Sequence, residues 1–101
     1  MVAGESRSAR VQRVLQEAAC LHRDGRLGDA ERRYRTAVRL HPDNLTALFR
    51  LGTLLAAMNR PAEATQFLER ALATNPPDPQ TRAQLEGALA RVRQAHAAAH
   101  P

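Results

Sequence analysis

The sequence predicts an all-α fold, an α-solenoid of five helices packed as antiparallel pairs, and three observations carry that prediction. Ala30 and Ala64, Ala37 and Ala71, and Pro42 and Pro76 recur at one common interval, which matches the length of a two-helix structural unit. Within each unit the apolar residues follow the three-and-four spacing of a helix face, not the alternation of a strand. Only Tyr34, Phe49 and Phe67 are aromatic, and alanine and leucine supply most of the apolar matter. Such a chain packs helix on helix through small side chains rather than as a β-sandwich.

Each element has its own signals. Val11, Val14, Leu15, Ala18 and Leu21 form the first apolar stripe, and Gly25 ends it as a C-terminal breaker. Leu27, Ala30, Tyr34, Ala37, Val38 and Leu40 form the second. It stops at His41-Pro42, because proline cannot continue a helix and pushes the residue before it out of helical geometry. Asp43 or Asn44 caps a third helix bearing Leu45, Leu48, Leu51, Leu54 and Leu55. Asn59 occupies the next turn, where repeat one has Gly25, and asparagine tolerates a left-handed conformation. Pro61 suits the first turn of a fourth helix carrying Ala64, Phe67, Leu68, Ala71 and Leu72.

Asn75-Pro76-Pro77-Asp78-Pro79 then breaks the chain, with Asp78 as cap and Pro79 in the first turn of a fifth helix. Leu85, Leu89, Val92 and His96 run down one side of it, while Arg82, Gln84, Glu86, Arg91, Arg93 and Gln94 occupy the rest. One apolar stripe with a polar back is what the last helix of a stack requires.

Small residues within helices and a proline closing each unit, at this period, resemble the tetratricopeptide repeat. Repeat one spans 11–44, repeat two 45–78 and a closing helix 79–97. Residues 1–8 are expected to form a disordered tail and 98–101 a flexible terminus. The family's large, large, small, large positions fall on Val14, Glu17, Ala18 and Leu21, then on Leu48, Leu51, Gly52 and Leu55. Its small, aromatic, small, proline positions fall on Ala30, Tyr34, Ala37 and Pro42, then on Ala64, Leu68, Ala71 and Pro76. Two positions depart from the pattern. Glu17 replaces an apolar residue, which points to a solvated end of the stack. Leu68 replaces an aromatic, with Phe67 expected to fill the nearby space.

Length and composition bound the function. A chain of 101 residues is one domain with a modest core. Its net charge is +5, and all fifteen basic residues are arginine. An arginine- and alanine-rich composition fits a GC-rich, bacterial-type genome, and a basic surface favours acidic partners. The single Cys20 excludes an internal disulfide. Residues 1–10 lack the apolar run of a signal peptide and no segment is long enough to span a bilayer, so a cytoplasmic location is expected.

No glycine-rich phosphate loop, metal motif or nucleophile with a partner set is present, so neither catalysis nor a cofactor is expected. Cys20 and His22 point to different sides of one helix and do not converge; Cys20 reads as a packed thiol. His96 and His100 share a face at metal-ligand spacing but lack a third ligand.

The family resemblance implies instead a concave groove lined by the first helix of each repeat, receiving a peptide or helix of a protein partner. By position this groove presents Gln12, Leu15, Ala19, His22 and Arg23, then Thr46, Phe49, Arg50 and Thr53, then Gln80, Ala83, Gln84, Gly87 and Arg91. Phe49 is expected to be its anchor, or else to pack on a neighbouring helix, with Arg23, Arg50 and Arg91 beside it for carboxylates. The clamp by which some family members hold a C-terminal carboxylate is absent: its places are taken by Leu15, Ala19, Gln80 and Gln84.

Arg32, Arg35 and Arg39 form a stripe on the second helix, partly offset by Asp29 with Arg33 and Glu31 with Arg35 four residues apart. The stripe reads as a solvated face. Without stacking aromatics it is a poor single-strand site, and nucleic-acid binding is the weakest reading. Self-association, or docking within a larger assembly or enzyme, is the alternative to groove binding.

Overall fold

The structure, a computed structural model, describes residues 4–99. Five helices follow one another: α1 Arg7–Arg23, α2 Leu27–Leu40, α3 Leu45–Ala57, α4 Pro61–Ala73 and α5 Pro79–Ala99. Among the described residues there is no strand.

The breaks lie where the sequence places them, and their chemistry is local. Gly25, Asn59 and Asn75 adopt positive φ of 80°, 60° and 58°, a conformation that glycine and asparagine reach most easily. Asn44, not Asp43, caps α3, its side chain accepting from the Ala47 amide at 2.9 Å. Asp78 caps α5 by accepting from the Gln80 and Thr81 amides at 3.2 and 3.3 Å and from the Thr81 hydroxyl at 2.7 Å.

Both ends are more helical than the sequence suggests. Ser6 accepts from the Ala9 amide at 3.1 Å and starts α1 at Arg7. Glu5, just before it, receives Arg13 Nη2 at 2.9 Å. α5 likewise continues through Ala98 to Ala99. The remainder of the expected tails, residues 1–3 and 100–101, lies outside the described residues.

α1 packs on α2 and α3 on α4, while α2–α3 and α4–α5 contacts join successive units. Ala30, Ala37, Ala64 and Ala71 are fully buried, so the paired helices approach closely at these points. Gly52 marks another close approach. A Cβ there would lie 2.8 Å from Cγ and Cδ2 of Leu68.

The stack ends because equivalent positions change character. Ala47, Leu51 and Leu54 of α3 are fully buried. Their counterparts one repeat earlier are Arg13, Glu17 and Cys20. Glu17 accepts from Arg13 at 3.0 Å and lies 3.5 Å from Arg33, which makes this a solvated, ion-paired face. Cys20 is exposed on the same face rather than packed, because no helix covers it. At the other end α5 buries Leu85, Ala88, Leu89 and Val92. His96, one turn beyond, is exposed. Exposed Arg82 and Glu86 stand where α3 has buried Leu48 and Gly52.

A closed ring of ion pairs ties the two repeats together. Glu31 on α2 receives Arg35 at 2.8 Å and Arg60 at 2.7 Å; Glu63 on α4 receives the same arginines at 2.8 and 2.7 Å. Asp29 pairs with Arg26 and Arg32 rather than Arg33, which is drawn across to Glu17. Burial pushes the Glu31 carboxyl up, but hydrogen bonds from Arg60 and Arg35 outweigh it and hold the group below its ordinary value of 4.5. Its stabilising contribution is therefore complete above that value and is lost as the pH falls through the lower folded-state value. Glu31 is only 13% exposed. Glu31→Gln is expected to cost about 1–2 kcal/mol at neutral pH. Thermal melts from pH 7 to pH 3 should show the gap to the parent closing below pH 4.5; a constant gap would mean that the ring does not stabilise the fold.

Candidate functional site

α1, α3 and α5, the first helices of successive units, contribute one continuous face on which two cavities open. The first, about 360 Å³, lies between α1, α2 and α3 and gathers Ala19, His22, Arg23, Tyr34, Arg50 and Thr53. The second, about 330 Å³, lies between α3, α4 and α5. Ala56, Leu68, Ala88, Val92 and Ala95 give it an apolar wall, with Pro61 and Asn59 at the α3–α4 turn and Arg91 on α5.

Thr53 lines both cavities and joins them. Its hydroxyl donates to the carbonyls of Phe49 and Arg50 at 3.1 and 3.0 Å, which commits its proton to its own helix.

The two cavities are repeat equivalents. Ala19, His22 and Tyr34 of the first become Thr53, Ala56 and Leu68 of the second after a shift of one repeat. His22 and Tyr34 give way to the aliphatic Ala56 and Leu68, while Ala19 gives way to Thr53. Leu68 leans on Gly52, whose counterpart in repeat one is Ala18. Phe67 does not fill the space beside Leu68. It faces the second-helix side, its ring centroid 5.4 Å from the guanidinium carbons of both Arg35 and Arg70, because neighbouring residues on a helix point about 100° apart.

Of the residues the sequence assigns to a groove, the structure brings Ala19, His22, Arg23, Arg50 and Thr53 around the first cavity and Thr53 and Arg91 around the second. Leu15 is a correction: at 3% exposure it belongs to the core, since it continues the stripe of Val11, Val14 and Ala18. Phe49 is partly buried against the core and lines neither cavity. Gln12, Thr46, Gln80, Ala83 and Gln84 lie outside the cavities, all five exposed. Tyr34, Leu68, Ala88 and Val92 escape a sequence reading because their spacing marks them as core. Ala56 is within reach of one, as the repeat counterpart of His22.

The arginines differ in whether the fold already supplies them a carboxylate. Arg13, Arg26, Arg32, Arg33, Arg35, Arg60 and Arg93 are held in ion pairs. Of the second-helix stripe, Arg32 bonds Asp29, Arg35 joins the ring and Arg39 donates to the Thr36 hydroxyl at 3.1 Å. Arg7, Arg10, Arg39, Arg70 and Arg82 make no ion pair among the described residues, and the arginines beside the two cavities are like them. Arg23 donates to the Cys20 sulfur, at 3.2 Å, and among the described residues Arg23, Arg50 and Arg91 make no ion pair. No carboxylate of the described residues lines either cavity.

Among the described residues no three His, Cys, Asp or Glu side chains are grouped to hold a metal ion, and His100 lies outside them. No described helix is long and apolar enough to cross a membrane.

A family model described as tetratricopeptide repeat matches residues 21–100. No curated protein matches the chain.

Proposed function

The chain belongs to the tetratricopeptide repeat family, whose members generally mediate protein–protein interaction, and on that premise we propose that it is a non-catalytic module binding an acidic segment of a partner protein along its first-helix face. One observation supports the reading above the others. The arginines of that face lack the carboxylate partners that most arginines elsewhere in the chain possess. A guanidinium left without a protein acceptor offers a bidentate site to an incoming carboxylate.

Gln12, Thr46, Gln80, Ala83 and Gln84 and the accessible part of Phe49 extend the face along three helices. They supply hydrogen bonds and area around the arginines. The second-helix stripe is the weaker candidate for the same role, because its arginines are already engaged within the fold.

The test compares two charge-removal variants against short acidic, neutral and basic peptides by fluorescence anisotropy. Replacing Arg23, Arg50 and Arg91 by Gln is expected to weaken acidic-peptide binding about tenfold, as three exposed pairs of about 0.2–1 kcal/mol each imply. The parent's affinity should also fall with added salt. Replacing Arg32 and Arg39 by Gln should leave binding unchanged. Arg35 stays in place because its loss would break the ion-pair ring. If the second-helix variant loses binding and the first-helix variant does not, the assignment of the face is wrong.

A further inference from the structure

The second cavity has a shape and a chemistry that the first lacks, and two substitutions within the repeat account for it. Where repeat one holds Tyr34, repeat two holds Leu68, drawn in against Gly52. Where α3 projects the buried Leu54 at the repeat junction, α5 carries Ala88. Both changes remove side-chain volume from the same junction, and Phe67 does not restore it because it lies with Arg35 and Arg70 on the other side. The result is a hollow of about 330 Å³ with an aliphatic wall and with Thr53, Asn59 and Arg91 also in its lining. An apolar hollow of this size accommodates a large hydrophobic side chain, and one placed charge beside it fixes orientation.

Resting on the binding reading above, we infer that this hollow is a specificity pocket for one bulky apolar side chain, leucine or aromatic, carried by the acidic segment. Charge selects the occupant. Arg91 lines the hollow, Arg23 and Arg50 line the adjoining cavity across the shared Thr53, and no carboxylate of the described residues lines either. An uncharged greasy segment would leave these guanidinium groups uncompensated, and a basic one would be repelled. The fitting sequence therefore places its apolar residue in the hollow with a carboxylate beside Arg91 and further carboxylates toward Arg50 and Arg23.

The experiment uses the full chain, isotope-labelled for NMR, titrated with three short acidic peptides that differ only in a central Phe, Leu or Ala. The Phe and Leu peptides are expected to bind on the order of tenfold more tightly than the Ala peptide, as burial of one large side chain implies. Their shifts should centre on Ala56, Ala88, Val92 and Ala95. Two filling variants, Ala88→Leu and Leu68→Tyr, are made separately so that one misfolding variant does not decide the outcome. In a folded filling variant the advantage of Phe and Leu should vanish while the Ala peptide binds as before. Equal binding of all three peptides to the parent overturns the pocket and leaves the arginine face standing, as does an advantage that survives filling. No binding of any peptide overturns both.

Discussion

Leu51→Glu is expected to abolish the cooperative thermal transition, while Glu17→Leu, the same exchange reversed one repeat earlier, leaves it within a few degrees of the parent. The two positions are one repeat apart and equivalent by sequence. Leu51 is fully buried at the junction of the repeats. A glutamate there removes a packed side chain and places a carboxyl in the apolar core, a loss of about 4 kcal/mol or more. A domain of this size holds about 5–15 kcal/mol in total. Glu17 instead makes exposed pairs with Arg13 and Arg33, and such pairs contribute little. Circular-dichroism melts of the two variants measure the difference. Similar losses would show that the outer face of α1 is as structural as the inner face of α3.

Tyr34→Ala is the second large effect. Tyr34 heads the fully buried side chains by volume, at 1% exposure. Deleting a buried aromatic costs about 3–5 kcal/mol, which for a domain of this length lowers the melting temperature by about 15 °C or more. Tyr34→Leu copies the residue of repeat two and should fall between parent and alanine. The copy is incomplete because Ala18 holds the place of Gly52, so a leucine in place of Tyr34 lacks the recess that Leu68 uses. A loss below about 1 kcal/mol for Tyr34→Ala would mean that the first junction repacks freely.

The breaks and helices are readable because each depends on residues next to it: Gly25 and Asn59 in their turns, Asn44 and Asp78 at their caps. Glu17 also marks the solvated end, since a carboxylate on an apolar stripe needs water or a cation where a partner helix would otherwise pack. Cys20 does not, because burial of a thiol depends on whether another helix arrives, and here none does. The i, i+4 rule finds Glu31 with Arg35 but pairs Asp29 with the wrong arginine. Arg33 has a second carboxylate within reach on α1, which spacing along α2 cannot reveal. Of the residues that repeat position assigns to a groove, most lie away from the core, Leu15 excepted. The hollow itself is hidden, for a void is made by side chains that are absent. Comparing Leu68 with Tyr34 and Ala88 with Leu54 uncovers it.

The ring joining Glu31, Arg35, Arg60 and Glu63 has a mechanical consequence. Sliding α2 along α4 would break the two contacts that cross between the repeats, Glu31 with Arg60 and Arg35 with Glu63, so that edge of the molecule resists shear. On the other edge α3 and α5 are separated by the hollow and touch sparsely. A body pinned along one edge and free along the other bends in one direction, as a hinge does about its pin. Bending about that edge would change the width of the first-helix face while the pinned edge keeps its length, without disturbing the junction that holds the repeats together.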